Sequence, residues 1–183
     1  MLKYVLLGAL NYRPLTGYQL KQFVDTSAKH FWYAQPSQIY RTLDALEREG
    51  LLISQIEPQD DRPDRRVYQI TDDGRADLRA WLAQPQTDIS PSKETFLLRL
   101  FYSAQLDKAT VLTQLRLQRA LRQEQLTLFR DLIPGVIAAS LAEHPELRRD
   151  ALMWDATRRA GELTEEAAIR WLDETIQRIE AEF

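Results

Sequence analysis

The stretch that most constrains the fold lies between residues 35 and 74, where helix, turn and strand signals follow one another without a gap. Pro36 suits the first position of a helix, because its missing N–H would be unpaired there in any case. Ile39, Leu43 and Leu46 recur at spacings of four and three. This spacing predicts an amphipathic helix with one buried face.

A β-hairpin is predicted directly after this helix. Gly50 stands where a helix commonly ends with a positive φ. Residues 51–57 and 66–70 are rich in Leu, Ile, Val and Tyr, a composition typical of strands. Residues 59–65 between them include the Asp and Pro that favour a turn. Thr71 can then cap a further helix by accepting a hydrogen bond from its first turn.

A helix followed by an arginine-bearing hairpin is typical of the winged helix-turn-helix, in which the helix enters a DNA groove and the hairpin follows the backbone. At 100° per residue, the helix face opposite the apolar stripe carries Ser37, Arg41, Asp44 and Arg48, flanked by Gln38. These side chains are candidate groove contacts. A face that meets only water is the plainer alternative.

The hairpin carries Arg62, Arg65 and Arg66, which can meet phosphates or enter a minor groove. Alternatively, these arginines only offset the three aspartates of the same turn. Overall charge supplies no attraction to DNA, because residues 1–84 hold 11 Lys and Arg against 11 Asp and Glu and the whole chain has a net charge of −3. Phosphate binding therefore depends on local placement of cations, and a monomer should bind weakly.

The predicted fold is mainly α with a small β-hairpin. Two helices are predicted before residue 35, the second of them opened by a capping box between Thr16 and Gln19. The chain then divides into a winged helix-turn-helix DNA-binding domain over residues 1–85, a Pro- and Ser-containing linker over 86–92, and an α-helical dimerisation domain over 93–183.

The last predicted helix carries Ile169, Leu172, Ile176 and Ile179 at spacings of three and four, a coiled-coil-like seam. If continuous over residues 146–182, it extends roughly 55 Å at 1.5 Å per residue. A compact globule of this length is only roughly 40 Å across. We therefore predict that these four residues form a homodimer interface. Packing against the preceding helices of the same chain is the alternative, and the continuity of the helix stays open.

Catalysis, metal binding and membrane insertion are not expected. The chain has no cysteine, and its two histidines show no metal-ligand spacing. Neither a glycine-rich phosphate loop nor an HExxH motif occurs. The apolar start over residues 2–10 lacks a signal-peptide cleavage site, and no run approaches the roughly 20 apolar residues that span a bilayer. We expect a cytoplasmic protein without a cofactor.

A family resemblance is carried by Leu7-Gly8, Thr16-Gly17-Tyr18, Phe31-Trp32, Gln38-Ile39-Tyr40, Gly50-Leu51 and the run Arg62-Pro63-Asp64-Arg65-Arg66-Val67-Tyr68-Gln69-Ile70-Thr71. As a set, these residues resemble the PadR family of bacterial transcriptional regulators, and the long helical tail is most similar to its AphA-like virulence-activator branch. The resemblance covers about residues 1–85 by motif and the rest by length and helicity.

This resemblance implies a homodimeric regulator that binds a pseudo-palindromic promoter site through the third helix and the wing. It also implies that Tyr18, Gln38 and Tyr40 lie near the DNA backbone or groove, and that Arg65 and Arg66 lie in the wing. The complete set of predicted DNA contacts is Tyr18, Lys21, Gln35, Ser37, Gln38, Tyr40, Arg41, Arg62, Arg65 and Arg66.

Two other functions stay open at this point. A winged helix can dock a protein instead of DNA, and the near-neutral N-terminal half permits this. Some PadR relatives sense small aromatic molecules, so a gating effector is the second alternative. Its cavity would be lined by Trp32, Tyr33, Phe96, Trp154 and Trp171. Aromatic residues at helical spacing are more often packed in a core or an interface, which argues against this cavity.

Overall fold

The computed structural model describes residues 1–25, 35–58, 64–87 and 94–183. The chain forms two compact units, Met1–Ser90 and Pro91–Phe183, each with an apolar cluster of its own. The fold is mainly helical with one small antiparallel sheet, which confirms the predicted fold class. Most of the predicted linker, residues 88–92, lies outside the described residues.

The first unit contains α1 Leu2–Tyr12, β1 Leu15–Thr16, α2 Gly17–Phe23, α3 Pro36–Arg48, β2 Leu52–Glu57, β3 Arg65–Ile70 and α4 Asp72–Leu82. The sheet has the order β1-β3-β2, and both pairings are antiparallel. The predicted hairpin is therefore joined by a strand that the sequence did not indicate. Strand β1 has two residues, too few to show alternation, and only the pairing of Leu15 with Tyr68 and Thr16 with Val67 defines it.

The core of this unit forms where the apolar faces of α1, α2 and α3 meet the sheet. The stripe predicted for α3 is confirmed, because Ile39, Leu43 and Leu46 are at most 1% exposed. They pack with the other buried side chains of the cluster, among them Leu6, Leu7, Leu20, Leu52 and Ile70. Burial of this stripe turns the opposite, polar face of α3 to the surface.

Hydrogen bonds close both ends of α3. At its start, the side-chain carbonyl of Gln38 accepts the Gln35 N–H at 3.0 Å, one half of a capping box. At its end, Gly50 has a φ of 74°. The Gly50 and Leu51 N–H groups donate to carbonyls in the last turn of α3 at 3.0 and 2.9 Å. This Schellman arrangement ends α3 immediately before β2.

A hydrogen bond joins Thr71, directly after the hairpin, to Gly50 at the end of α3. The Thr71 hydroxyl accepts the Gly74 N–H at 3.1 Å, which confirms the predicted cap of α4, and donates to the Gly50 carbonyl at 2.8 Å. A Cβ on Gly74 would lie 2.1 Å from the Leu51 carbonyl oxygen. Only glycine fits at this position, so the start of α4 packs directly on the backbone between α3 and β2.

The second unit is helical: α5 Thr95–Phe101, a 3₁₀ turn Ser103–Gln105, α6 Lys108–Thr127, a π-helical turn Leu128–Leu132, α7 Ile133–Glu143, a 3₁₀ turn Pro145–Leu147 and α8 Arg148–Glu182. The chain stays helical from Lys108 to Glu143, although this stretch contains Pro134. The wider π-helical turn before Pro134 relieves the clash between its ring and the preceding turn. Helix α8 is continuous over 35 residues, roughly 52 Å.

The apolar seam of α8 packs against α6 of the same chain. Leu172 is 1% exposed and clusters with Val111 and Leu115. The other seam residues lie beside it: Ile169 is 9% exposed, and Ile176 and Ile179 flank the cluster. Leu172 is therefore covered within one chain, Ile176 and Ile179 are only partly buried, and the predicted homodimer interface stays a prediction. Intramolecular packing explains the coiled-coil-like spacing, because two long antiparallel helices need the same seam as a dimer does.

Ion pairs set the register between these helices. They join Arg116 to Glu180, Arg119 to Asp173, Arg122 to Glu165, and Arg130 to both Glu162 and Glu166. Among these pairs, Glu162 is the most enclosed carboxylate, with a side chain 9% exposed. The guanidinium groups of Arg158 and Arg159 lower its pKa to about 2. Arg158 also donates to the Phe129 carbonyl at 3.1 Å and so ties α8 to the π-helical turn.

One helical run is long and apolar enough, by length and composition alone, to cross a membrane. This run, Lys108–Glu143, contains an 18-residue window with a mean hydropathy of 1.2, of which 11% is buried within the chain. The expectation that no such run exists was wrong, because it counted only uninterrupted apolar residues. A single helix of this kind is weak evidence for membrane insertion, and Arg130 within the run is paired with two glutamates of α8.

Candidate nucleic-acid interface

The outward face of α3 is polar and exposed over the whole helix. Ser37, Gln38, Arg41, Asp44 and Arg48 are all exposed, as the helical spacing predicted. Their orientation follows from the buried stripe on the other side of the helix. The Gln38 carbonyl oxygen is engaged at the start of α3, but its amide group also carries two N–H donors. The face can therefore both donate and accept hydrogen bonds.

Two tyrosines extend this surface beyond α3. Tyr18 at the start of α2 is 64% exposed, and Tyr40 of α3 is 47% exposed. A Cβ on Gly17 would lie 2.5 Å from the Tyr40 ring, so the glycine lets this ring lie directly on the α2 backbone. The Gln22 amide donates to the Tyr18 hydroxyl at 3.2 Å. The α2 capping box is confirmed, since Thr16 and Gln19 bond reciprocally.

Both described wing arginines are engaged by acidic side chains. Arg65 donates to Glu57, its cross-strand neighbour, at 2.6 Å. Arg66 pairs with Glu47 of α3, and its Nη1 lies 3.6 Å from Asp44. Each of these two arginines therefore has an acidic partner outside the turn. Asp60 and Asp61, which the alternative reading includes, lie outside the described residues. Arg62 lies outside the described residues.

Four of the ten predicted contacts line one open hollow of about 540 Å³. Its lining comes from the start of α2, from α3 and from β3, and includes Tyr18, Tyr40, Arg65, Arg66 and Tyr68. Burial raises the pKa of the Tyr68 hydroxyl, which therefore stays neutral at physiological pH. Lys21 lies on α2, where its ammonium pairs with Asp25. Gln35 and Ser37 lie at the start of α3 and are exposed.

The sequence did not predict the residues that hold the wing arginines. Ser54 and Glu47 contact Arg66, and neither had been assigned a role. A signal for Ser54 is present, because it follows the buried Leu52 at strand spacing and so lies on the same face of β2. Glu47 gives no such signal, because its contact depends on how the hairpin folds back over α3.

The other chemistries find little support in the described parts of the chain. No group of three or more His, Asp or Glu side chains in those parts could hold a metal ion. Of the aromatic residues suggested for an effector cavity, Trp32 and Tyr33 lie outside the described residues. Phe96 and Trp171 pack edge to face in the second unit, with ring centroids 6.4 Å apart. This contact is typical of core packing.

Comparison with known proteins identifies the family. The Transcriptional regulator PadR-like family matches residues 6–80, and the family described as Virulence activator alpha C-term matches residues 92–180. The Probable transcriptional regulator Rv1176c of Mycobacterium tuberculosis is 32% identical over 98% of this chain and 97% of its own length. The chain belongs to the PadR family. It is a DNA-binding transcriptional regulator, and the family is one of regulators, not of enzymes.

Solved PadR-family structures share the fold over nearly the whole chain. Bacillus subtilis PadR in complex with operator DNA has a TM-score of 0.79 at 23% identity, covering 97% of this chain and 98% of that protein. The same protein has been solved with p-coumaric acid. The Vibrio cholerae virulence activator AphA has a TM-score of 0.71 at 26% identity, covering 99% of both chains. The predicted resemblance to the PadR family and its AphA-like branch is confirmed.

Proposed function

We propose that two copies of this chain bind a pseudo-palindromic promoter site, with α3 in the major groove and the wing along the phosphate backbone. The observation that carries the proposal is the two-sided character of α3. Its apolar stripe is at most 1% exposed, whereas its polar face is exposed and adjoins the hollow lined by Tyr18, Tyr40 and Arg65. A related protein, Bacillus subtilis PadR, has been crystallised with operator DNA.

Base reading falls to the α3 side chains that project furthest from the buried stripe. An arginine can bond both O6 and N7 of guanine, and a glutamine amide can bond N6 and N7 of adenine. We therefore assign base contacts to Arg41 and Gln38. Gln35 and Ser37 lie at the N-terminus of α3, where the positive end of the helix dipole favours a phosphate. Their role is to fix the register of the helix in the groove.

The residues that flank α3 contact the DNA phosphate backbone. Tyr18 and Tyr40 present hydroxyl groups on the exposed side of the hollow, and Lys21 lies further along α2. Arg65 is exposed on the wing, and Arg62 is assigned to the wing tip from the sequence alone. A phosphate can replace Glu57 as the partner of Arg65 and Asp25 as the partner of Lys21. Both exchanges release counterions from DNA and so make binding depend on salt.

A homodimer accounts for apolar surface that the second unit leaves uncovered. Within its described residues, α5 and α7 bury no side chain fully. Several large apolar side chains on this unit are 46–80% exposed: Leu97, Leu98, Phe101, Leu117, Leu121, Leu132 and Val136. We propose that a second copy covers this surface, with Ile176 and Ile179 at its edge. A two-fold axis then presents two α3 helices to one DNA face, about one helical turn apart.

Fluorescence anisotropy with the promoter of the chain's own gene tests the proposal. The same assay with a random duplex of equal length supplies the comparison at physiological salt. Specific sites are commonly bound at least about 10³-fold more tightly than random DNA. Equal affinity for both duplexes overturns the proposal. A partner protein retained after nuclease treatment would then favour the protein-docking alternative. Because the target is chromosomal DNA, we also propose a cytoplasmic location.

Sedimentation velocity tests the dimer independently of DNA. Leu121→Glu places a charge on the exposed surface of α6, whereas Gln123→Glu places the same charge on a nearby exposed position that is already polar. We expect the first change to dissociate the dimer at micromolar concentration and the second to leave it intact. A wild-type chain that sediments as a monomer at this concentration contradicts the two-fold arrangement.

A further inference from the structure

We propose that Arg66 positions the wing on the recognition helix and is not itself a phosphate contact, which revises the role that the sequence predicted for it. This inference rests on the proposed binding of DNA through α3 and the wing. Its basis is a closed network of side chains that joins three elements of the first unit. The network connects Arg66 of β3, Ser54 of β2 and Glu47 of α3.

Each member of the network uses its polar atoms on the other two. The Nε of Arg66 donates to the Ser54 hydroxyl at 2.8 Å, and a terminal nitrogen of the same guanidinium donates to Oε2 of Glu47. The Ser54 hydroxyl in turn donates to Oε1 of Glu47 at 2.6 Å. Asp44 lies 3.6 Å from the remaining nitrogen, and the Tyr68 ring centroid lies 5.2 Å from the guanidinium carbon. The planar fork of an arginine suits such a multiply bonded position.

Arg65 provides the contrast within the same strand. Successive side chains of a strand point to opposite faces, so Arg65 and Arg66 face different sides of the hairpin. Arg65 instead donates to Glu57, which belongs to the neighbouring strand of the wing. That ion pair joins the two strands of the wing to each other. The Arg66 network instead fastens the wing to α3, and so sets the distance between the backbone contacts and the groove contacts.

Electrostatics near DNA supports the same assignment. Glu47 belongs to the recognition helix, and its side chain is 30% exposed. If Arg66 left Glu47 for a phosphate, a carboxylate would face the DNA polyanion without its cation, and like charges repel. Arg66 therefore serves binding better by neutralising Glu47. The prediction is that Arg66 contributes to the discrimination between sequences but contributes nothing to the salt dependence.

Anisotropy titrations of the full-length protein against operator and random duplex, over a series of salt concentrations, test this inference. Ser54→Ala removes the bridging hydroxyl without any change of charge. Arg66→Lys keeps the charge and removes the fork. We expect each to lower the operator-to-random affinity ratio by roughly fivefold or more, the size typical of a coupled network. The slope of log K against log salt should stay at its wild-type value. Combining the two changes should add little to either alone.

Arg65→Ala is the matched control on the other face of the strand. It should weaken both duplexes alike and reduce the slope by about 0.9, the value for one lost phosphate contact. The inference is overturned if Arg66→Ala reduces the slope in the same way, or if Arg66→Lys and Ser54→Ala both keep the wild-type ratio. Circular dichroism melts confirm that each variant is folded. A wild-type protein that does not distinguish the operator overturns the proposed function instead.

Discussion

Replacing Leu172 by alanine distinguishes a core seam from a dimer seam. Leu172 is 1% exposed, and its neighbours Leu115 and Val111 on α6 are 0% and 2% exposed. Leucine-to-alanine changes at such sites cost about 2.7–5.0 kcal/mol, with the larger values where the surroundings cannot collapse. Ion pairs between α6 and α8 flank Leu172 on both sides along α8, joining Arg116 to Glu180 and Arg122 to Glu165, and hold the helices in place around the gap. We therefore expect the free energy of unfolding to fall by about 3–4 kcal/mol.

Urea denaturation at a fixed protomer concentration measures this loss, because the apparent stability of a dimer depends on concentration. Leu163→Ala is the control: the same chemical change on α8, at a side chain that is 48% exposed and outside the proposed dimer surface. It should cost less than about 1 kcal/mol in an isolated chain, because little apolar area is removed from water there. Sedimentation velocity on the same samples follows the association state.

If Leu172→Ala converts the protein to a monomer while unfolding costs the same free energy as in the wild type, the seam belongs to the interface between copies. The intramolecular packing of α8 on α6 would then not describe the protein in solution. That result would support the predicted homodimer interface of Ile169, Leu172, Ile176 and Ile179.

Three further outcomes are expected. Arg41→Ala should cost about 1–3 kcal/mol of operator discrimination in anisotropy titrations, whereas the exposed Arg79→Ala on α4 should not change it. Gly74→Ala should lower the melting temperature, because its Cβ would lie 2.1 Å from the Leu51 carbonyl oxygen. Gly8→Ala, in open space on α1, should raise the free energy of unfolding by about 0.5–1 kcal/mol. A stabilising Gly74→Ala together with a destabilising Gly8→Ala would contradict both predictions. The pKa of Glu162 is lower in the folded protein, about 2, than its usual value of 4.5, so its ion pairs stabilise the fold fully above pH 4.5 and progressively less as the pH falls toward 2. Glu162→Gln should therefore reduce the loss of stability between these pH values, which circular dichroism of acid denaturation measures. If the acid denaturation of Glu162→Gln matches that of the wild type, a group other than Glu162 controls stability in this pH range.

Local signals predicted the recognition element well. Pro36, the apolar stripe of α3 and Gly50 lie within one short stretch, and each acts on atoms a few residues away. The caps at Thr16 and Thr71 are local in the same sense, since each hydroxyl bonds an N–H three residues later. Hydrogen bonds of this range form whenever the helix forms. They can therefore be recognised without knowledge of the tertiary fold.

Long-range contacts explain what the sequence analysis missed or left open. Strand β1 exists only because β3 pairs with it across more than fifty residues of chain. The partner of Arg66 is Glu47, 19 residues away, although Glu57, Asp60, Asp61 and Asp64 all lie closer to Arg66 along the chain. The α8 seam was recognised as apolar, but its spacing is the same whether the covering helix comes from this chain or from a second copy.

By itself, the sequence determined that this protein has a winged helix with a polar α3 face and a long helical tail, because hydrophobic periodicity and caps depend on neighbours within a few turns. Only the tertiary structure decided which partner each exposed charge and each apolar seam receives. It packs Leu172 on α6 and binds Arg66 to Glu47. Both contacts join segments that are distant along the chain, and patterns among neighbouring residues cannot predict which distant segments come together.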